Sequence, residues 1–124
     1  MNAKASSRTA FTLVEIMIVV AIIGLLVAIA IPNFVRVRAR SHMNACIDNM
    51  RQIDGAAQEW ALELKKAPDA TVAFTDVRDF LRGPLVCPAG GTAFSDSYTV
   101  TTVTNKPTCQ KVTADHILPA DTTQ

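Results

Sequence analysis

Between Phe11 and Ile31 the chain reads FTLVEIMIVVAIIGLLVAIAI, twenty-one residues broken by a single charge, Glu15. A run of this length is long enough to cross the hydrocarbon of a bilayer as a helix. After Pro32 the pattern changes. Met43, Ile47, Met50, Ile53, Ala57, Trp60 and Leu64 recur at three- and four-residue steps, one stripe of an amphipathic helix. Arg36, Arg38, Arg40, Asp48, Arg51, Asp54, Glu59 and Glu63 mostly occupy the other faces. From Asn33 to Lys66 there is no further proline and one glycine, Gly55. The pattern therefore predicts a helix from Phe11 to Lys66, about 80 Å at 1.5 Å per residue. It is expected to bend at Pro32, where a backbone N–H is missing.

Beyond this helix the periodicity shortens. Ala67-Pro68-Asp69 is a stop signal. Thr75 to Pro84 reads as a short helix capped by Thr75 and closed by Gly83-Pro84, with Asp76 favouring its positive end. Gly90-Gly91 opens a tail with candidate strands at Thr92–Ser95, Tyr98–Thr104 and Thr108–Thr113, the first two joined through Asp96-Ser97. The fold class is α+β: a long N-terminal helix with a small antiparallel β-rich region packed on its amphipathic half. The expected organisation is a leader over residues 1–10, a membrane or filament-core helix over 11–31, its amphipathic continuation over 32–66, and a small globular region over 67–124.

The overall apolar fraction of 49% is inflated by the first helix, and a formal charge of +1 gives no reason to expect nucleic acid. Lys4, Arg8 and the amino terminus balance Arg36, Arg38 and Arg40, so counting positive charges does not orient the helix. Of three cysteines, Cys87 and Cys109 enclose twenty-one turn-rich residues. A disulfide closing such a loop contributes about 3 kcal/mol in the chain-entropy model. This pair is favoured over either pairing with Cys46, which is fixed on the helix beside the apolar stripe, half-buried. Spacing alone does not fix the connectivity. Cys46, Cys87, Cys109, His42 and His116 show no C-x-x-C or H-x-x-x-H spacing, so no metal site and no cofactor are expected. No Ser/His/Asp or Cys/His order points to catalysis. Trp60 and Tyr98 read as core residues.

Glu15 is the anomaly. An ionised group costs roughly 2.5–3.5 kcal/mol at the centre of a membrane helix and less towards the ends. Taken alone it reads as a side chain snorkelling to the interface. Its setting argues otherwise. Ala10-Phe11-Thr12-Leu13-Val14-Glu15, preceded by the short basic stretch Met1–Ala10 and followed by the apolar helix and Pro32, resembles the processing and assembly signature of type IV pilin-like proteins. That family comprises type IV pilins and the pseudopilins of type II secretion.

The resemblance covers about Arg8 to Phe34 and implies a pilin fold. It implies that a prepilin peptidase cuts the Ala10–Phe11 bond on the cytoplasmic side and methylates the new amino group of Phe11. The family usually has glycine where this chain has Ala10. It also implies a role for Glu15: pairing with the Phe11 amine of an adjacent, staggered copy, since a buried charge is stable only when paired. Gly24 and Ala28 form a small-xxx-small pair that lets helices approach closely, and Pro32 tolerates local unwinding between the two halves of the helix. The expected protein is a structural filament subunit without enzymatic activity, of a pilus or a secretion pseudopilus. Its implied partners are copies of itself, the peptidase and an inner-membrane assembly platform. It would reside in the inner membrane as a precursor, then in a periplasmic or surface filament. The rival reading is an uncleaved membrane anchor carrying a periplasmic binding or enzyme domain.

Overall fold

The computed structural model describes residues 10–119; all of the expected leader except Ala10 lies outside them. A single helix, α1, spans Leu13–Glu63 and includes Pro32 in its interior. The helix continues through Pro32, because one missing N–H leaves the neighbouring turns bonded. The chain divides into two units, with the boundary between Val37 and Arg38.

In the first unit every described residue is exposed. Leu13, Ile22, Leu25, Ile29 and Phe34 are each more than half accessible. By length and composition this part of α1 can cross a membrane.

The second unit holds the core. Cys46, Met50, Ile53, Ala56, Ala57, Trp60 and Ala61 of α1 are buried. The predicted stripe is therefore right from Met50 to Trp60, but Met43 and Ile47 are only half-buried and Leu64 is exposed. Cys46 is fully buried rather than half-buried, because it lies four residues before Met50 and thus on the same face. One cluster joins Cys46, Met50 and Ile53 to Cys87, Tyr98, Cys109 and Leu118. A second joins Ala56, Ala57, Trp60 and Ala61 to Val72, Val77 and Val103.

The C-terminal end of α1 is closed by two bonds. Lys66 N–H donates to Ala61 O (2.8 Å) and Lys65 N–H to Leu62 O (3.4 Å). Lys65 sits at φ 50°, so this is a Schellman closure with a non-glycine residue in the left-handed position. Pro68 follows, as expected.

The short helix begins one residue earlier than its predicted cap and is split: α2 covers Phe74–Val77, and a 3-10 turn covers Arg78–Phe80. The cap is Ala73, not Thr75; the Asp76 carboxylate accepts the Ala73 N–H at 2.9 Å. Leu81 is already extended, so the helix does not reach Gly83.

The strands are shorter than expected. Thr92–Ser95 is not a strand; a helical turn, α3, occupies Phe94–Ser97. Among the described residues the strands that pair are Tyr98–Thr99 (β1) and Thr108–Cys109 (β2), antiparallel, with Tyr98 opposite Cys109 and Thr99 opposite Thr108. A bridge between Thr71 and Thr102 ties the segment after α1 to the segment after β1. The physical reason is Asp96, whose carboxylate takes N–H bonds from Thr92 and Ala93. Such local side-chain bonds offer the backbone an alternative to a ladder. The α+β class stands, as a long helix with a two-stranded antiparallel sheet.

Candidate functional site

The exposed start of α1 gathers most of the residues singled out in the sequence. Thr12 Oγ1 accepts the Glu15 N–H (3.2 Å), and Thr12 O accepts the Ile16 N–H (3.3 Å). Thr12 is thus the N-cap and Glu15 the third helical residue, the T-x-x-E spacing of a capping box. Thr12 was missed as a site residue, although that spacing was visible in the sequence. Glu15 lies in the first turn of α1, where the helix dipole favours a negative charge. Its carboxylate therefore has a local electrostatic reason to be where it is, independent of any second chain. Phe11 immediately precedes the cap and is exposed.

Gly24 and Ala28 are one turn apart on the same exposed surface, and a Cβ added at Gly24 would meet nothing within 4 Å. The apolar side chains of this unit are left for something outside the monomer to cover. That cover can be lipid or further copies of the same helix. Burial of such surface contributes about 25 cal/mol per Å2.

The second constellation lies in the globular unit. The expected pair, Cys87 and Cys109, is brought together, with Sγ atoms 3.5 Å apart and all three cysteines free. Both sulfurs also lie 3.8 Å from His116 Nδ1. Cys46 Sγ completes a buried group of four whose ligand atoms all fall within 4.8 Å of one another. The absence of short ligand spacings, which argued against a metal-type cluster, is overcome by the fold, since each of the four residues comes from a different segment. His42 does not join them. Its Nδ1 lies 2.8 Å from Pro88 O, which pins the turn after Cys87 to α1.

Burial pushes the Cys46 thiol up to about 12 and raises that of Cys87. Burial also opposes ionisation of Cys109, but the Val112 and Lys111 backbone together with the Cys46 and Cys87 thiols lower that thiol. Tyr98 is buried as expected; its OH accepts from Asn49 Nδ2 (2.9 Å), and burial raises its pKa.

Comparison with known proteins adds to this geometry. Residues 6–31 match the family described as the prokaryotic N-terminal methylation motif. The chain is 46% identical over 59 residues to the type IV major pilin protein PilA of Myxococcus xanthus (strain DK1622), covering 48% of this chain and 27% of that protein. It is 41% identical over 70 residues to a type IV major fimbrial protein FimA of Dichelobacter nodosus, covering 56% and 44%. It is 42% identical over 60 residues to a fimbrial protein of Pseudomonas aeruginosa, covering 48% and 39%. The matches thus span less than half the length of each of these relatives. No solved structure matches the chain significantly.

Proposed function

We propose that this chain, type IV pilin-like by its methylation motif and its relatives, is the structural subunit of a filament polymerised through the N-terminal part of α1. The observation that carries the reading is the coincidence of a methylation motif at residues 6–31 with a stretch of α1, up to Val37, in which every apolar side chain is exposed. A helix of this kind is covered equally well by lipid before assembly and by sister helices after it. A subunit can then pass from bilayer to polymer without wetting its apolar surface.

In this reading a prepilin peptidase removes residues 1–10 at the Ala10–Phe11 bond and methylates Phe11. Cleavage must precede assembly, because until then the Phe11 nitrogen is an amide and carries no charge. Once free, it neutralises Glu15 of a staggered neighbour, which would otherwise bring an unpaired carboxylate into the filament core. Gly24 and Ala28 allow close helix approach, and Pro32 permits the turn around it to loosen. The precursor resides in the inner membrane and the product in a filament outside it, docked by an inner-membrane platform. The relatives, named as major pilin and fimbrial proteins, favour a pilus over a secretion pseudopilus and a major over a minor subunit.

Intact mass and N-terminal sequencing of the membrane-extracted protein test this directly. Loss of residues 1–10 with gain of one methyl on Phe11 is the expected result. A protein that retains Met1 would favour the uncleaved anchor instead.

A further inference from the structure

The filament reading makes no use of the four-residue cluster in the globular unit, and the inference drawn from it stands independently of that reading. Cys46 comes from the middle of α1, Cys87 from the start of a tight turn, Cys109 from β2 and His116 from the C-terminal segment. Their accessibilities are 0%, 1%, 2% and 5%. Four ligand-type groups do not converge in a small apolar core without consequence, since each displaces hydrocarbon packing.

The distances have a specific meaning. A zinc ion with Zn–S bonds of about 2.3 Å at the centre of a tetrahedron sets neighbouring ligand atoms about 3.8 Å apart. Three of the six separations are 3.5 Å for Cys87 Sγ to Cys109 Sγ and 3.8 Å for each of these to His116 Nδ1, and the ligand atoms of all four residues, Cys46 included, lie within 4.8 Å of one another. The first three are close to the edges of a coordination tetrahedron.

The turn after Cys87 is tightly built. Gly91 N–H donates to Cys87 O at 2.8 Å, and Gly90 holds φ 116°. A Cβ at Gly91 would run into Ser97 Oγ and the backbone N of Cys87.

We propose that Cys46, Cys87, Cys109 and His116 bind one zinc ion in a closed, four-ligand structural site. Three soft sulfurs with one imidazole select zinc over hard cations such as calcium or magnesium. The burial of all four residues leaves no open coordination position, which marks the site as structural rather than catalytic. Binding releases the thiol protons to solvent. The ion ties the turn, β2 and the C-terminal segment to one point on α1, and in an oxidising compartment it shields the three thiols from pairing.

The test uses the full chain in detergent micelles, purified under reducing conditions, stripped with chelator and titrated with zinc and with cobalt(II) as a spectroscopic probe. One metal per chain is expected, with tetrahedral cobalt absorption and a thiolate charge-transfer band. Cys46→Ser and His116→Ala should each weaken zinc binding by more than the roughly 10–100-fold that loss of an outer-shell partner costs, and His116→Cys should restore it. Because these variants could fail to fold, alkylation of the unaltered chain supplies a second readout: zinc should protect all three cysteines together. Equal alkylation with and without zinc, octahedral cobalt spectra, or a Cys87–Cys109 disulfide that persists beside an alkylatable Cys46 would each overturn the proposal.

Discussion

Glu15 has one role visible in the monomer and a second in the proposed filament. Within the monomer it is the third residue of a helix capped by Thr12, where a carboxylate is favoured by the dipole. In the proposed filament it would pair with the Phe11 amine of another copy. The two roles separate on mutation: Glu15→Ala should leave membrane insertion and Ala10–Phe11 cleavage intact while lowering incorporation into sheared filaments. Wild-type filament yield from the variant would mean that the cap is the whole of its role. Lys65 was not legible in the sequence, because nothing in its neighbourhood announces a left-handed residue. At φ 50° a side chain costs roughly 1 kcal/mol, which glycine avoids. Lys65→Gly is therefore expected to raise stability by up to about 1 kcal/mol in chemical denaturation. Asp96 has a depressed carboxyl pKa, caused first by the Thr92 hydroxyl and then by the Ala93 N–H, with Ser97 and the Thr92 N–H also contributing against a small opposing effect of burial. Because the folded value lies below the ordinary 3.8, the stabilisation is present above that pH and is lost as pH falls below it. Thermal melts of Asp96→Asn should show a lower midpoint at neutral pH and a flatter decline from pH 4 downwards than the parent chain.

At the scale of elements, the helix was legible and the sheet was not, for a physical reason. Helix α1 is fixed by fifty-one residues of consistent pattern, so an error of two or three residues at each end changes little. The tail is written in short polar stretches where single side chains decide the backbone. Asp96 turns Phe94–Ser97 into helix, and the ladder shrinks to two residues per strand. The cysteine pair was legible as a meeting of Cys87 and Cys109. The participation of Cys46 and His116 was not, because residues that converge from four segments leave no spacing to read. Two glycines test the elements separately. Gly91 is packed against the Cys87 backbone, so Gly91→Ala should destabilise the globular unit by about 1–3 kcal/mol, the usual range for overpacking, as measured by denaturant titration. Gly24 has open space around it. Gly24→Leu should leave the melting of the globular unit unchanged but reduce filament formation, since bulk at a small-xxx-small contact keeps neighbouring helices apart.

On the scale of the whole molecule, the division of labour follows from where burial begins. Every described residue from Ala10 to Arg40 is exposed, whereas the buried positions run from Cys46 to Leu118. Both core clusters draw only on residues after the Val37–Arg38 boundary. The apolar segment therefore contributes nothing to the core, and the core needs nothing from it. A fragment beginning at Arg38 should fold in aqueous buffer as a monomer, with Trp60 as its reporter because that ring is only 7% exposed. Its unfolding, followed by Trp60 fluorescence and by circular dichroism, should give coincident single transitions. The same fragment should fail to enter filaments formed by the full-length chain, because it lacks the apolar helix that both lipid and sister subunits would cover. Two non-coincident transitions would show that the core depends on residues before Arg38. Co-assembly of the fragment would place the polymer contacts in the globular unit instead, and would remove the reason for keeping the apolar run from Phe11 to Ile31 exposed on a folded chain.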